Sequence, residues 1–237
     1  MKTLLNEQFA PITSSVGFIG RPLDEVAAEM IAWRQRLHEK VHHVTLDGSL
    51  VDLLGRLEPL VVGSRPRQLL VSIGEQWTAY FDCGGHAGTD SASVVPVMAK
   101  FLDCFTIATD DSPHVPKLRF GSVAFSLFGP TEPKRHNHIR TVQAAFDTRW
   151  VFIAEGELQP FEEPEHYTAR RIRDRFTSEM LERYCQAMGV DIFNANAYGP
   201  NAVLLEHPLY RPMEAITLAE AQQRLNIVPG MADSLPG

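Results

Sequence analysis

Apolar residues in this chain recur first at helical spacing and then at strand spacing. Val26, Met30, Trp33 and Leu37 fall at intervals of four, three and four, one stripe of an amphipathic helix. Pro22 suits a first helical position. Asp24 and Glu25 behind it, and Arg34, Arg36 and Lys40 toward the far end, match the helix dipole, so a helix is expected over 22–39. A strand at 41–46 follows, then a short helix in which Ser49 caps Leu50, Leu53, Leu54 and Leu57 before Pro59 stops it.

Leu69, Val71 and Ile73 alternate, as do Trp77, Ala79 and Phe81. A two-residue turn would place the two sets on opposite faces, whereas a three-residue loop, 74–76, pairs Ile73 with Trp77 and joins them. The longer loop is preferred, although such loops favour glycine at the last position, where this chain has Gln76. Further on, the pattern predicts a helix over 91–102 that Pro96 should kink or shorten, a strand at 104–109, and a strand at 117–128. In that last strand the apolar phase shifts at Gly121 and Ser122, as a bulge would shift it. Strand 139–146 alternates. Trp150 to Ala154 is apolar throughout, which predicts a central strand covered on both faces.

The last third reads as helical. Thr177 caps a helix carrying Met180, Leu181, Tyr184, Cys185 and Met188, with Gly189 at its end, and Thr217 with Glu220 forms a capping box. Consecutive strands joined by short turns pair antiparallel. The expected fold class is therefore α+β, a mainly antiparallel sheet with helices packed on it, in a single domain over 1–227 with a mobile tail over 228–237.

Composition adds limits. The chain has 237 residues, 44% hydrophobic and 22% charged, as an ordinary globular protein does. Its formal net charge of -7 opposes nucleic-acid binding, which draws on Lys and Arg neutralising phosphates. Met1 to Ser15 lacks the apolar stretch of a signal peptide, and no run approaches the ~20 apolar residues of a membrane span, so no membrane association is expected. Cys83, Cys104 and Cys185 are too few and too widely spaced for a disulfide framework or a zinc knuckle, which points to reduced thiols in a cytoplasmic setting. No cofactor is expected.

Candidate chemistry concentrates in the loop Asp82–Asp90. Gly84, Gly85 and Gly88 allow positive φ, and with Thr89, Asp90 and the following helix they could present backbone N–H groups to an anion. Neither GxxxxGK[ST] nor GxGxxG is present, and the simpler account is a turn with Thr89 or Asp90 as helix cap. Cys83 and His86 stand three apart and could act as nucleophile and base, with Asp82 or Asp90 orienting the histidine; the plain alternative for Cys83 is a small residue packed beneath a turn.

Lys134, Arg135, His136 and His138 lie in a loop between strands. His136 and His138, with His86, could begin a metal site, but a solvated basic loop explains them as well. Arg171 and Arg175, one turn apart on an expected helix, could clamp a carboxylate or phosphate; the alternative is a solvent face netted to nearby Glu residues.

Two functional readings follow. The first is a non-catalytic binding protein of the bacterial-immunity or adaptor kind that engages a basic protein partner through an acidic surface. The alternative is an enzyme or small-ligand binder for an anionic substrate, with loop 82–90 as cradle and Arg171 and Arg175 as clamp.

Overall fold

The structure is a computed structural model that describes residues 2–37, 40–85, 88–130, 137–209 and 211–231. In chain order it contains β1 (Ser15–Ile19), α1 (Leu23–Leu37), β2 (His42–Asp47), α2 (Leu50–Gly55), β3 (Leu60–Val61), β4 (Arg67–Ile73), β5 (Trp77–Asp82), α3 (Ser91–Leu102) and β6 (Thr106–Ser112). There follow β7 (Ser122–Phe128), β8 (His138–Asp147), β9 (Arg149–Gly156), α4 (Ser178–Ala187), β10 (Tyr198–Glu206), β11 (Ala215–Ile216) and α5 (Leu218–Arg224).

Among the described residues, nine strands form one sheet in the order β2-β10-β4-β5-β1-β6-β7-β8-β9, and β11 pairs with β3 apart from it. Every pairing within the large sheet is antiparallel. The fold is α+β, as the alternating ribbons require. The β4–β5 hairpin pairs Ile73 with Trp77 across a three-residue loop. Gly74, at φ 54, supplies the positive dihedral at the first loop position, so Gln76 has no need to.

Strand alternation splits the core in two. On one face, here the first, Phe18, Leu69, Val71, Phe81, Ile107, Phe125, Val142 and Ala144 are buried with α2 and α4. On the second face, Ile19, Leu70, Tyr80 and Ala108 pack with Val26 and Met30 of α1 and with Val94, Val95 and Met98 of α3.

The caps expected at Ser49, Thr177 and Thr217 are present, the last as a full capping box with Glu220. Gly189, at φ 88, ends the turn after α4. α3 continues through Pro96, and carbonyls at the proline are satisfied from outside the helix: Thr106 Oγ1 donates to Val95 O at 3.0 Å and the Asn137 amide to Pro96 O.

Several expectations are corrected. Trp150–Ala154 lies on β9, the edge strand, not in the sheet interior. Its even residues Trp150 and Phe152 pack against the first core, whereas Val151 and Ile153 are exposed on the second face, so the apolar run serves an edge with one covered side. The strand expected over 117–128 begins only at Ser122. Residues 115–119 instead form a turn closed by Val115 and Arg119, with Lys117 at φ 65, which leaves Leu118 and Phe120 outside. β6 runs on through 110–112, past the end at 109 that the pattern predicts. The expected helix around Arg171 is only a 3-10 turn, Ile172–Asp174. In the expected tail, Gly230 N–H donates to Asn6 O at 2.9 Å; residues 232–237 lie outside the described residues.

Phe125 is fully buried, edge-on to Phe161 and Tyr184 at 6.0 Å each. Phe125→Ala should lower unfolding free energy by about 3–5 kcal/mol, read from urea denaturation.

Candidate functional site

The loop after β5 is organised by an anion of its own. Asp82 is fully buried. Its Oδ1 accepts Gly84 N–H at 2.9 Å, and its Oδ2 accepts Asp90 N–H at 2.9 Å and Tyr80 O–H at 3.1 Å. Arg65 Nε stands 3.2 Å from the same Oδ2, and Arg65 Nη1 is 3.9 Å from Asp90 Oδ2. Burial raises the Asp82 carboxyl above its usual range, while Asp90 N–H, Arg65 and Gly84 N–H pull it back.

Other groups of the loop are likewise engaged. Thr89 Oγ1 accepts Asp82 N–H and donates to Ile12 O, and Asp90 Oδ1 caps α3 by accepting Ser93 N–H at 3.2 Å. Gly85 N–H donates to Val61 O at 3.1 Å. Gly88, at φ 77, lies where a Cβ would come 2.2 Å from Pro11 O, so only glycine fits. The backbone donors of Gly84 and Asp90 are taken by Asp82, and that of Gly85 by Val61 O.

Cys83 is fully buried between β3 and β4. Its N–H donates to Arg67 O, its Sγ accepts Arg67 N–H at 3.3 Å, and burial pushes its thiol up to about 11. A thiol in that state is a packing group rather than a nucleophile. His86 lies outside the described residues, as do Lys134, Arg135 and His136. His138 Nε2 is 2.8 Å from Thr141 Oγ1. Among the described residues no group of three or more His, Cys, Asp or Glu could hold a metal ion.

Arg171 and Arg175 sit against β9, five strands across the sheet from β5, about 24 Å at ordinary strand spacing. They flank the turn Ile172–Asp174 and diverge in role. Arg175 donates to Ala169 O at 3.0 Å and lies over the Phe152 ring, while Arg171 borders a surface recess. The upstream glutamates pair elsewhere: Glu162 holds Arg140 through two bonds, and Glu163 holds Arg183 through two. The structure does not bring Arg171 and Arg175 to the glycine loop.

A second polar group went unread in the sequence. Ser15 pairs with Asp110, and Ser112 with Ser122, on the second face. The Asp110 carboxyl is pushed up to about 7 by burial, which hydrogen bonds from Ser112 and Ser122 only partly offset, and its Oδ1 has no hydrogen-bond partner. On the first face Asp111 accepts Ser178 O–H at 2.8 Å, and burial drives its carboxyl well above the usual range.

The most open chemistry lies at the end of the sheet, where the loop before β7 meets the β8–β9 turn. Phe120 is 70% exposed and Leu118 55%. Phe120 stacks on Phe146 at 5.9 Å, and Phe146 meets Trp150 edge-on at 5.8 Å. His114 lies 4.3 Å from the Phe146 ring, and burial and nearby Arg173 lower its imidazole pKa. Two recesses of about 440 and 450 Å³ flank the cluster, one bordered by Lys117 and Phe120, the other by Arg149, Trp150 and Arg171. Lys117, Arg149 and Arg171 make no ion pair among the described residues, and Arg173 reaches only Asp174, at 3.6 Å. No sequence motif marks this cluster, because it joins three separate turns.

Comparison with protein-family models, with curated proteins and with solved structures finds no match to this chain.

Two outcomes follow. All three thiols are buried and unpaired, so a disulfide-exchange reagent should modify them at least about a hundredfold more slowly in the folded protein than in urea. For Asp110, whose pKa rises from 3.8 to about 7, the native state keeps a proton that the unfolded chain has released. Its contribution to stability therefore falls as pH rises between those values and stays level above them. Asp110→Asn should remove this slope. Between about pH 4 and pH 8, denaturation curves should shift toward the variant, relative to wild type, by on the order of 2–4 kcal/mol.

Proposed function

We propose that this chain is a non-catalytic binding protein, of adaptor or immunity kind, that engages an acidic segment of another protein bearing apolar side chains. The observation that carries the reading is an aromatic cluster in which exposed Phe120 stacks on half-buried Phe146 beside half-buried Trp150, fringed by Lys117, Arg149 and Arg171 without ion-pair partners among the described residues. Large exposed apolar groups beside recesses suit an anchoring residue from a partner, and such anchors carry most interface energy. Unpaired cations at the rim add selectivity and encounter rate for an acidic ligand.

The net charge of -7 by itself favours a basic partner, but the long-range field acts on encounter, whereas the local surface decides what docks. The catalytic reading has less support, since Cys83 is sealed and the N–H groups of Gly84, Gly85 and Asp90 are occupied. A cytoplasmic setting fits three free, buried cysteines. Among the described residues no helix is long and apolar enough to cross a membrane.

Trp150 supplies the assay. In a protein carrying Trp33→Phe and Trp77→Phe, Trp150 is the only tryptophan left. Its emission should shift on titration with Glu-rich peptides containing Leu or Phe, and should stay unchanged with the same peptides carrying Lys for Glu. Lys117→Glu with Arg171→Glu should weaken the response at least about tenfold, and salt should do likewise. A response to single-stranded oligonucleotides alone, or equal responses to acidic and basic peptides, rejects the reading.

A further inference from the structure

β9 is an eight-residue edge strand, paired with β8 over its whole length without a register shift. Natural edges are commonly guarded by Lys, Pro, bulges, shortness or a covering element. β9 has no Lys and no Pro, and its charges stand toward its ends, at Arg149 and Glu155. Between them Val151 and Ile153 are 39% and 36% exposed on the second face. On that face α3 packs on β1, β6 and β7.

The direction of the free backbone groups follows from the register. Phe146 N–H donates to Gly121 O and Glu157 N–H to Ile139 O, so odd residues of β8 face β9 and odd residues of β9 face β8. Trp150, Phe152 and Ala154 therefore turn their N–H and C=O toward the open edge. Two antiparallel strands bond only through residues that both face outward.

A two-fold axis at Phe152 satisfies that condition and gives one particular alignment. Trp150 meets Ala154 of the second copy and Phe152 meets its own counterpart, making about six backbone hydrogen bonds. Val151 then lies opposite Ile153, and Arg149 lies opposite Glu155, at both ends of the seam. The sequence of β9 is thus complementary to itself in charge and in apolar position about its own centre. An isologous contact requires this property of one patch.

We infer that β9 pairs with β9 of a second copy, so that two sheets continue as one across a two-fold seam. The opposite edge, β2, is shorter, and its one carboxylate is Asp47, with no Arg or Lys to pair with it across such an axis. The seam shares Arg149 and Trp150 with the proposed partner-binding surface but uses neither Phe120 nor Leu118, so Phe120→Ser disturbs that surface and leaves the seam intact.

Sedimentation equilibrium of the full chain between about 1 and 100 μM reads the association directly. Wild type should dimerise. Glu155→Arg sets like charges opposite each other at both ends and should weaken the dimer at least about tenfold. Arg149→Glu combined with Glu155→Arg should restore it to within about threefold. Ala154→Pro removes an outward N–H and no bond to β8, so it should yield monomer. Should that variant lose its circular dichroism, the charge pair, exposed at both positions, carries the test. Phe120→Ser should leave association within about twofold of wild type. The inference is overturned by a wild type that stays monomeric, by a dimer indifferent to Glu155→Arg and Ala154→Pro, or by failure of the charge swap to restore association.

Discussion

An α-helix with its side chains is 10–12 Å across and neighbouring strands lie just under 5 Å apart, so one helix roofs about two strands. Among the described residues the sheet has nine, and two helices pack on its second face. α1 lies over β10, β4 and β5, and α3 over β1, β6 and β7. On the first face α2, α4, the N-terminal turns and the segment after β9 share the burial. The mismatch between sheet width and helix number leaves one face of β8 and β9 with no helix over it among the described residues. The open edge and the aromatic end of the sheet both lie in that wing.

At the other side of β1 the chain closes itself up. A glycine-bearing strand-to-helix loop with free N–H groups is a general anion site, and here the anion is Asp82. Tyr80, Arg65 and the cap of α3 all converge on its carboxylate, and Arg34 stands close enough to act on it electrostatically. A buried carboxylate with several donors holds a unique geometry, because removing one partner leaves a desolvated charge. Such a network suits a structural clasp between β5, α3 and the N-terminal segment that carries Ile12, and it leaves no backbone donor for an outside ligand at Gly84, Gly85 or Asp90.

Local rules in the sequence carried much of this fold. Side-chain phase alone chose the three-residue hairpin loop, since a shorter one would have split Ile73 and Trp77 between faces. Caps at Ser49, Asp90, Thr177 and Thr217 were legible because capping depends on a few adjacent residues. What failed was non-local. β1 is five residues long and buried throughout, with Gly17 where Val95 of α3 comes close, so it has no alternation to read. β10 is inserted between β2 and β4 from far along the chain. An apolar run like Trp150–Ala154 looks alike at a centre and at an edge, and only the sheet order tells them apart. The Arg65–Asp82 pair and the Phe120–Phe146–Trp150 cluster were invisible for the same reason, as each joins segments with no common pattern.

The loop bearing Leu118 and Phe120 is exposed yet held from several sides. Arg119 is the pivot: its Nη1 meets Glu7 Oε1 at 2.7 Å in a nearly buried ion pair, and its Nε donates to Pro113 O at 2.9 Å. Asn226 of the C-terminal segment donates to Leu118 O at 3.1 Å. Glu7 reaches Arg119 from a left-handed turn in which Leu5, Asn6 and Glu7 have φ of 54, 50 and 61. Each such residue costs about 1 kcal/mol or more, so the turn persists only where its surroundings impose it. Here Leu4 is buried in the first core, Gly230 bonds Asn6 O, and Gln222 bonds Gln8 O and Ala10 O. Local strain at the N-terminus thus goes with a fixed Arg119, and a fixed Arg119 sets where two exposed apolar side chains stand. A surface ordered before any partner arrives loses little conformational entropy on binding, so the strained turn and the exposed Phe120 are two ends of one arrangement.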